Sequence, residues 1–209
     1  MLLAYGVHLE AGRIFERLIA AGAAPTVRDR AWFYLAKIRY QRGYLEEAGQ
    51  ALAQIGDRLP RELEIERRLI QSYLLMRNEQ FSEAVALLDG VKDEGGWARY
   101  VRYNLGVALI RAGETDRGKA LLQQIGQLKE NDEEFRALRD KANVSLGYIA
   151  LQGGRPDEAR VTLKRVRLDG LMSNKALLGM GWAHSARDDQ EGALVYWDGL
   201  RDRPVQDAA

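Results

Sequence analysis

Apolar positions recur along this chain at helical spacing, and a small residue anchors each recurrence. A small residue, then a large apolar one four positions on and an aliphatic one three further on, occurs six times. The sets are Ala11/Phe15/Leu18, Ala48/Leu52/Ile55, Ala84/Leu88/Val91, Gly118/Leu122/Ile125, Ala159/Leu163/Val166 and Ala193/Trp197/Leu200. Spacings of four and three bring all three residues onto one helix face. Five residues before each small position sits a turn-prone or polar residue: Gly6, Gly43, Glu79, Gly113, Gly154 and Asp188. Twelve before it, in five complete units, sits a second small residue: Ala36, Ser72, Gly106, Gly147 and Gly181. Each unit is predicted to be a helix, a short turn and a second helix, with the paired small residues where the helices cross.

The stretch "NLGVALIRAGETDRGKALL", Asn104 to Leu122, shows why glycines sit inside otherwise helical sequence. A helix-interior Gly costs roughly 1 kcal/mol against Ala, so each needs a steric or turn-forming reason. Gly106 and Gly118 fall at the crossing, where a missing side chain lets backbones approach. Gly113 falls at the end of the first helix, where a left-handed residue is commonly required. The successive small positions from Ala11 to Ala193 are 37, 36, 34, 41 and 34 residues apart, a period that indicates a stacked helical array.

At these residues the sequence resembles the tetratricopeptide repeat (TPR) family, whose unit of roughly 34 residues reads W-x2-L-G-x2-Y, then A-x3-F, then Pro. Trp32, Leu35, Ala36, Gly43, Ala48, Leu52 and Pro60 follow the pattern in one repeat. Leu105, Gly106, Gly113 and Leu122 follow it in another, and Leu146, Gly147, Ala159 and Leu163 in a third. One unit departs, with Gln71 for the usual Leu and Glu79 for the turn Gly. "YNLGVALIRAG" and "ALLGMGWA" also look like a group of bacterial proteins carrying such repeats.

The resemblance implies an all-α, right-handed superhelical solenoid of antiparallel helix pairs. Its expected divisions are a partial repeat over 1–24, then repeats over 26–59, 60–93, 95–128, 131–168 and 173–203. Local signals add detail. Thr26 and Asp29 are spaced as an N-cap and a near capping box, and Pro60 and Pro156 suit first helical turns. The interval from Gly118 to Ala159 exceeds 34 by seven residues. Seven residues make about two turns, so the first helix of the 131–168 repeat is expected to outrun its neighbours and project from one edge. The chain opens with only the tail of a first helix and ends at "RPVQDAA", where a further repeat is due, so a segment of a longer protein is expected. Trp197 and Leu200, with Leu194 and Val195, would then lie on an apolar terminal face that offers weak self-association.

Composition narrows the function by exclusion. Lys and Arg number 31 against 30 Asp and Glu, so no global charge draws the chain to nucleic acid. No cysteine is present, which removes disulfides, thiolate metal sites and a thiol nucleophile. Glu10, Arg13, Glu16 and Arg17 interrupt the apolar start too early for a signal peptide, and no run approaches the roughly 18 apolar residues of a membrane span. An upstream export signal would leave bacterial cytoplasm and periplasm equally open. His8 and His184 fall within repeat helices, where packing or exposure accounts for them. "DEGGWARY" and "LQGGRPDE" lack the Lys-Ser or Lys-Thr of a phosphate loop, and "ENDEEF" reads as an acidic helix N-terminus. No Ser-His-Asp arrangement or H-E-x-x-H spacing occurs. No catalytic, cofactor or metal site is expected.

What remains is a surface for a protein or peptide. The resemblance implies a concave groove lined by first helices, taking an extended peptide or a partner helix. By register its residues are Phe33, Lys37 and Tyr40; Tyr73 and Arg77; Tyr100, Tyr103, Asn104, Val107 and Arg111; Lys141, Tyr148 and Gln152; and Lys175 and Trp182. Aromatics interleaved with Lys and Arg are typical of hot spots, while tyrosines that bridge neighbouring helices with wet hydroxyls remain the alternative. Some chaperone-binding members clamp a peptide's carboxylate with five residues. Asn104 and Lys141 match two of these, but Leu69, Tyr73 and Ser145 occupy the rest, so no clamp is expected. An interaction scaffold is the expected function, with an assembly module self-associating through apolar end faces as the alternative.

Overall fold

The computed structural model describes residues 2–92, 95–129, 131–201 and 203. All regular structure among them is helical: α1 (Leu2–Ala20), α2 (Pro25–Gln41), α3 (Leu45–Leu52), α4 (Arg61–Arg77), α5 (Phe81–Leu88), α6 (Ala98–Arg111), α7 (Thr115–Gly126), α8 (Glu133–Gln152), α9 (Pro156–Leu163), α10 (Ser173–Ser185) and α11 (Gln190–Arg201). The chain divides into two compact units, Met1–Asn104 and Leu105–Ala209. Within the first, α2 pairs with α3 and α4 with α5, and α2 also packs on α4. Within the second, α8 pairs with α9 and α10 with α11, and α8 also packs on α10. First helix lies against first helix in both.

The crossing residues behave as their spacing predicts. Ala36, Ala48, Ser72, Ala84, Ala159 and Ala193 have no accessible surface, and Gly106, Gly118, Gly147 and Gly181 are buried. At the α6–α7 crossing the backbones touch: a Cβ on Gly118 would lie 2.5 Å from the Gly106 carbonyl oxygen and 3.0 Å from the Ile110 nitrogen. At α8–α9 a Cβ on Gly147 would press on the Leu163 side chain, and on Gly181 it would collide with the Trp197 indole. The large members of each set fill the space around these crossings. Leu88, Leu122, Ile125 and Leu163 are among the most deeply buried side chains.

Every complete hairpin turns on a left-handed residue at the predicted position. Gly43, Gly113 and Gly154 have φ of 79°, 92° and 67°, and Glu79 and Asp188 both have 59°. Glu79 and Asp188 hold this conformation against a cost of roughly 1–2 kcal/mol for an L side chain, so the turn geometry prevails where the glycine is missing. The first unit's opening differs from expectation. α1 runs through Gly6 without a turn, because a few residues of first helix cannot nucleate a hairpin of their own and instead extend the helix that follows.

Three helix starts refine the sequence reading. α2 begins at Pro25 with Ala24 as its N-cap, and no side chain caps it. Thr26 is therefore inside the helix and no capping box forms. Asp29 instead turns inward, buried, and accepts the Arg58 backbone N–H at 3.1 Å from the loop after α3. Pro60 is the N-cap of α4, and Pro156 opens α9. α8 spans 20 residues against 17 in α2 and α4, 14 in α6 and 13 in α10. Asp132 caps it by accepting from the N–H groups of Glu134 and Phe135. Its extra turns are tied down: Arg167, from the loop after α9, donates to buried Asp140 at 2.7 Å and to Glu133 at 2.8 and 2.9 Å. Residues 204–209, where a further repeat is due by register, lie outside the described residues, as does the His8 side chain.

Two glycines on second helices separate packing from propensity. Gly118→Ala puts a methyl into the Gly106 carbonyl and should cost about 1–3 kcal/mol or more by overpacking. A Cβ at Gly199 in α11 meets nothing within 4 Å, so Gly199→Ala should gain roughly 0.5–1 kcal/mol of helix propensity. Thermal unfolding of both variants checks the pair. Equal and small shifts would refute the close crossing.

Candidate functional site

The first helices carry the residues that the repeat register nominates for binding, and each unit arranges its own set. In the first unit, Lys37 and Tyr40 on α2 meet Glu66 and Tyr73 on α4. Lys37 pairs with Glu66 at 2.6 Å, and the Tyr40 and Tyr73 rings meet edge to face with centroids 5.3 Å apart. Burial, and then the neighbouring Tyr73, push the Tyr40 hydroxyl above the ordinary tyrosine range. Arg77 is exposed at the end of α4. On α6, Tyr100 packs against Trp97 with ring centroids 5.8 Å apart. Tyr103 is half-buried, and Asn104 donates to the Tyr100 carbonyl one turn earlier at 2.9 Å.

Phe33 must be removed from the surface set. It is fully buried in the core with Ala36, Ala51, Leu52 and Ile70, so it offers nothing to a partner. One helix position separates it from exposed Tyr34, which stacks on Phe15 of α1 at 5.4 Å. A register transferred from a family places residues to within a position or so, and at Phe33 that margin is the difference between core and surface.

In the second unit, Tyr148 on α8 reaches across to α10 and donates to the Lys175 carbonyl at 3.0 Å. Its ring also lies against Gly179, where a Cβ would come within 3.2 Å. Burial raises its hydroxyl above the usual tyrosine range. Val107 is half-buried, while Arg111, Lys141, Gln152 and Lys175 are exposed. Trp182 is 53% exposed and rests edge to face on Trp197 of α11, with centroids 5.2 Å apart. Trp197 in turn is half-buried and directs its indole N–H toward the Leu178 carbonyl at 3.4 Å. Trp197 therefore supports Trp182 and does not form an apolar end face. The exposed apolar residues of α11 are Leu194 and Val195, at 55% and 71%.

The titratable groups are committed to structure. His184 is buried at the end of α10, 2.7 Å from Asp189 and 5.1 Å from the Tyr196 ring centroid. Asp189 also accepts the Gly192 backbone N–H, capping α11. The His184 contact, followed by that N–H, holds the Asp189 carboxyl below its usual range. Among the described residues no group of three or more His, Cys, Asp or Glu could hold a metal ion, and no helix is long and apolar enough to cross a membrane. Sequence reasoning passed over Asp29 and Asp140. The signal was present, because each stands seven residues before a first-helix crossing residue, Ala36 and Gly147.

Tyr148→Phe should cost about 0.5–1.5 kcal/mol, the net worth of one hydrogen bond, at neutral pH. Because the folded Tyr148 value is raised, its contribution is present below the ordinary tyrosine value near 10 and is lost as pH rises through the folded value. Alkaline unfolding of the variant should therefore be less steep than that of wild type. Phenolate absorbance should show late-ionising hydroxyls in the folded chain and one fewer in the variant. An unchanged alkaline profile would mean that Tyr148 is fully wet.

Comparison with known proteins agrees with this architecture. Models of the tetratricopeptide repeat match residues 75–142 and 144–165. No curated protein matches the chain. Among solved structures, the nearly identical TPR-like repeats of a protein assigned as a kinesin light chain from Podosopora anserina align at a TM-score of 0.60 and 18% identity, covering 85% of this chain and 95% of that one. A single-substitution variant of the same protein aligns at 0.60 and 19%, over 85% and 94%. At such identity the likeness concerns the fold. With its helix pairs, its left-handed turn residues and its small crossing residues, this chain belongs to the tetratricopeptide-repeat family.

Proposed function

We propose that this protein is a non-catalytic interaction scaffold that binds an extended peptide or a partner helix along the first-helix faces of its units. Repeats of this family generally mediate protein–protein interaction. The observation that carries the reading is Trp182, a large ring left 53% exposed yet held by Trp197 behind it. A ring that is already immobilised loses little conformational entropy on binding. Lys175 and Lys141, exposed on the first helices of the same unit, suit an acidic or carbonyl-rich segment. In the first unit, the Tyr40–Tyr73 pair beside Lys37 and Glu66 offers the same combination of ring and charge.

Partner capture followed by calorimetric titration tests the reading. Truncation of a hot spot typically costs 2 kcal/mol or more, so Trp182→Ala should weaken binding about thirtyfold. Tyr73→Ala should act in the same direction for a ligand on the first unit. Glu83→Ala, exposed on second helix α5, should leave affinity unchanged. Equal affinity in all variants, each shown to be folded by circular dichroism, would move the binding surface elsewhere.

A second reading, self-association, is favoured by Leu194 and Val195. Both are more than half exposed on α11. Under it, sedimentation should show concentration-dependent oligomers that Leu194→Lys with Val195→Glu dissolves without loss of helicity. A monomer at all concentrations would remove this reading.

A further inference from the structure

In the first unit, α1 and α3 each pack on α2 and, among the described residues, not on one another. A cleft of about 410 Å³ opens between them. Trp32 and Leu35 of α2 form its floor, with Ala20 of α1 and Ala51 of α3 on its walls. The rim is polar. On one side Arg39 pairs with Glu16 at 3.5 Å, and on the other stand Gln50 and Gln54 of α3.

The same cleft recurs in the second unit at repeat-equivalent positions. There α7 and α9 flank α8, and the space of about 350 Å³ is lined by Gln123 and Gln127, Leu146, and Val161, Thr162 and Arg165. Leu146, Thr162 and Arg165 each lie 111 residues after Leu35, Ala51 and Gln54. Geometry of the repeat therefore creates the space, and side chains decide its character. The counterpart of Trp32 is Asn143, which is fully buried and donates to the Gly126 carbonyl at 2.9 Å. Asp157 and Glu158 further charge that second cleft. Only the first has an aromatic floor.

We infer that the α1–α3 cleft is a docking site for a partner polypeptide, which inserts one large uncharged side chain of the Phe, Leu or Trp class onto Trp32. A volume of this size falls in the range of ligand sites. The rim cations and anions cancel, because Arg39 already faces Glu16, so a charged anchor would lose its water over Trp32 and gain no partner. Gln50 and Gln54 each offer a donor and an acceptor, the complement of the N–H and C=O that flank an anchor residue in a peptide. The cleft is open along its length, which suits a chain that continues past both ends. It uses a different stripe of α2 from Lys37 and Tyr40, which face α4, so it stands apart from the first-helix surface proposed above.

Nuclear magnetic resonance on the isotope-labelled full chain tests this site. The chain has four tryptophans, hence four indole N–H signals to follow. The probes are N-acetyl-leucinamide, N-acetyl-phenylalaninamide and N-acetyl-aspartamide. The two apolar probes should move the Trp32 indole and the Gln50 and Gln54 side-chain amides along saturable curves, and the aspartamide should bind at least about tenfold more weakly. Ala20 and Gln54 are exposed, so Ala20→Phe and Gln54→Trp block the cleft from opposite walls with little threat to the core, and each should abolish the response. Tyr73→Ala should not, which separates this result from the first-helix reading. Linear, unsaturable shifts, shifts that survive both blocking variants, or equal response to the aspartamide would overturn the site. Movement of the same signals with protein concentration alone would replace the partner peptide by a second copy of this chain and overturn the inference as stated.

Discussion

Ala48, Ala84, Ala159 and Ala193 have no accessible surface, and Gly118 lies with its Cα against the Gly106 carbonyl, because each marks the point where the two helices of a hairpin cross. A small residue there sets the interhelical distance. The larger neighbours, four and seven residues on, can then reach the adjoining helices. If the crossing opened, Leu122 and Leu163, now almost fully buried, would lose the walls they pack against. Close packing leaves no slack to absorb such a shift. Helix pairing, turn conformation and the seating of each hairpin on the next all follow from this one contact.

The turn depends on it as well. Chain direction must reverse within a few residues while the crossing stays in register, and a left-handed residue five before the second small position achieves this. Gly supplies that conformation without strain in three hairpins. Glu79 and Asp188 adopt it despite their side chains, which shows that packing of the paired helices outweighs a local preference of roughly 1–2 kcal/mol. Departure from the repeat pattern at Glu79 thus changed the residue and left the geometry intact.

This hierarchy explains what the sequence made legible. Crossings, turns and the long α8 could be read because they are enforced by periodic small residues and by their intervals. Helix starts were less legible: Asp29 is spaced as a capping-box member, yet it serves the loop at Arg58, a contact 29 residues away that no local pattern encodes. Asp140 does comparable work through Arg167. Surface assignments were the least secure for a related reason. Phe33 and Tyr34 differ by one helix step, and the pattern of the A-helix alone does not say which of them α4 and α5 will cover. Trp197 reads as exposed by its apolar neighbours, but Gly181 makes room for its indole against α10, an effect visible only when both helices are in place.

Because crossings absorb the constraints, the remaining positions of each repeat are released to differ. Trp32 and Asn143 occupy equivalent places, 111 residues apart, and one floors an apolar cleft while the other bonds the preceding helix's last carbonyl. Tyr40 pairs with another ring, whereas Tyr148 reaches a backbone oxygen at the neighbouring first helix. Neither substitution disturbs a crossing. An array built this way can change its binding chemistry one repeat at a time, since a new side chain between second helices, or along first helices, meets space that the small residues have already defined. Specificity in such a protein therefore resides in the residues that break the repeat's regularity, and Trp32 and Trp182 are where this chain departs from its own units most strongly.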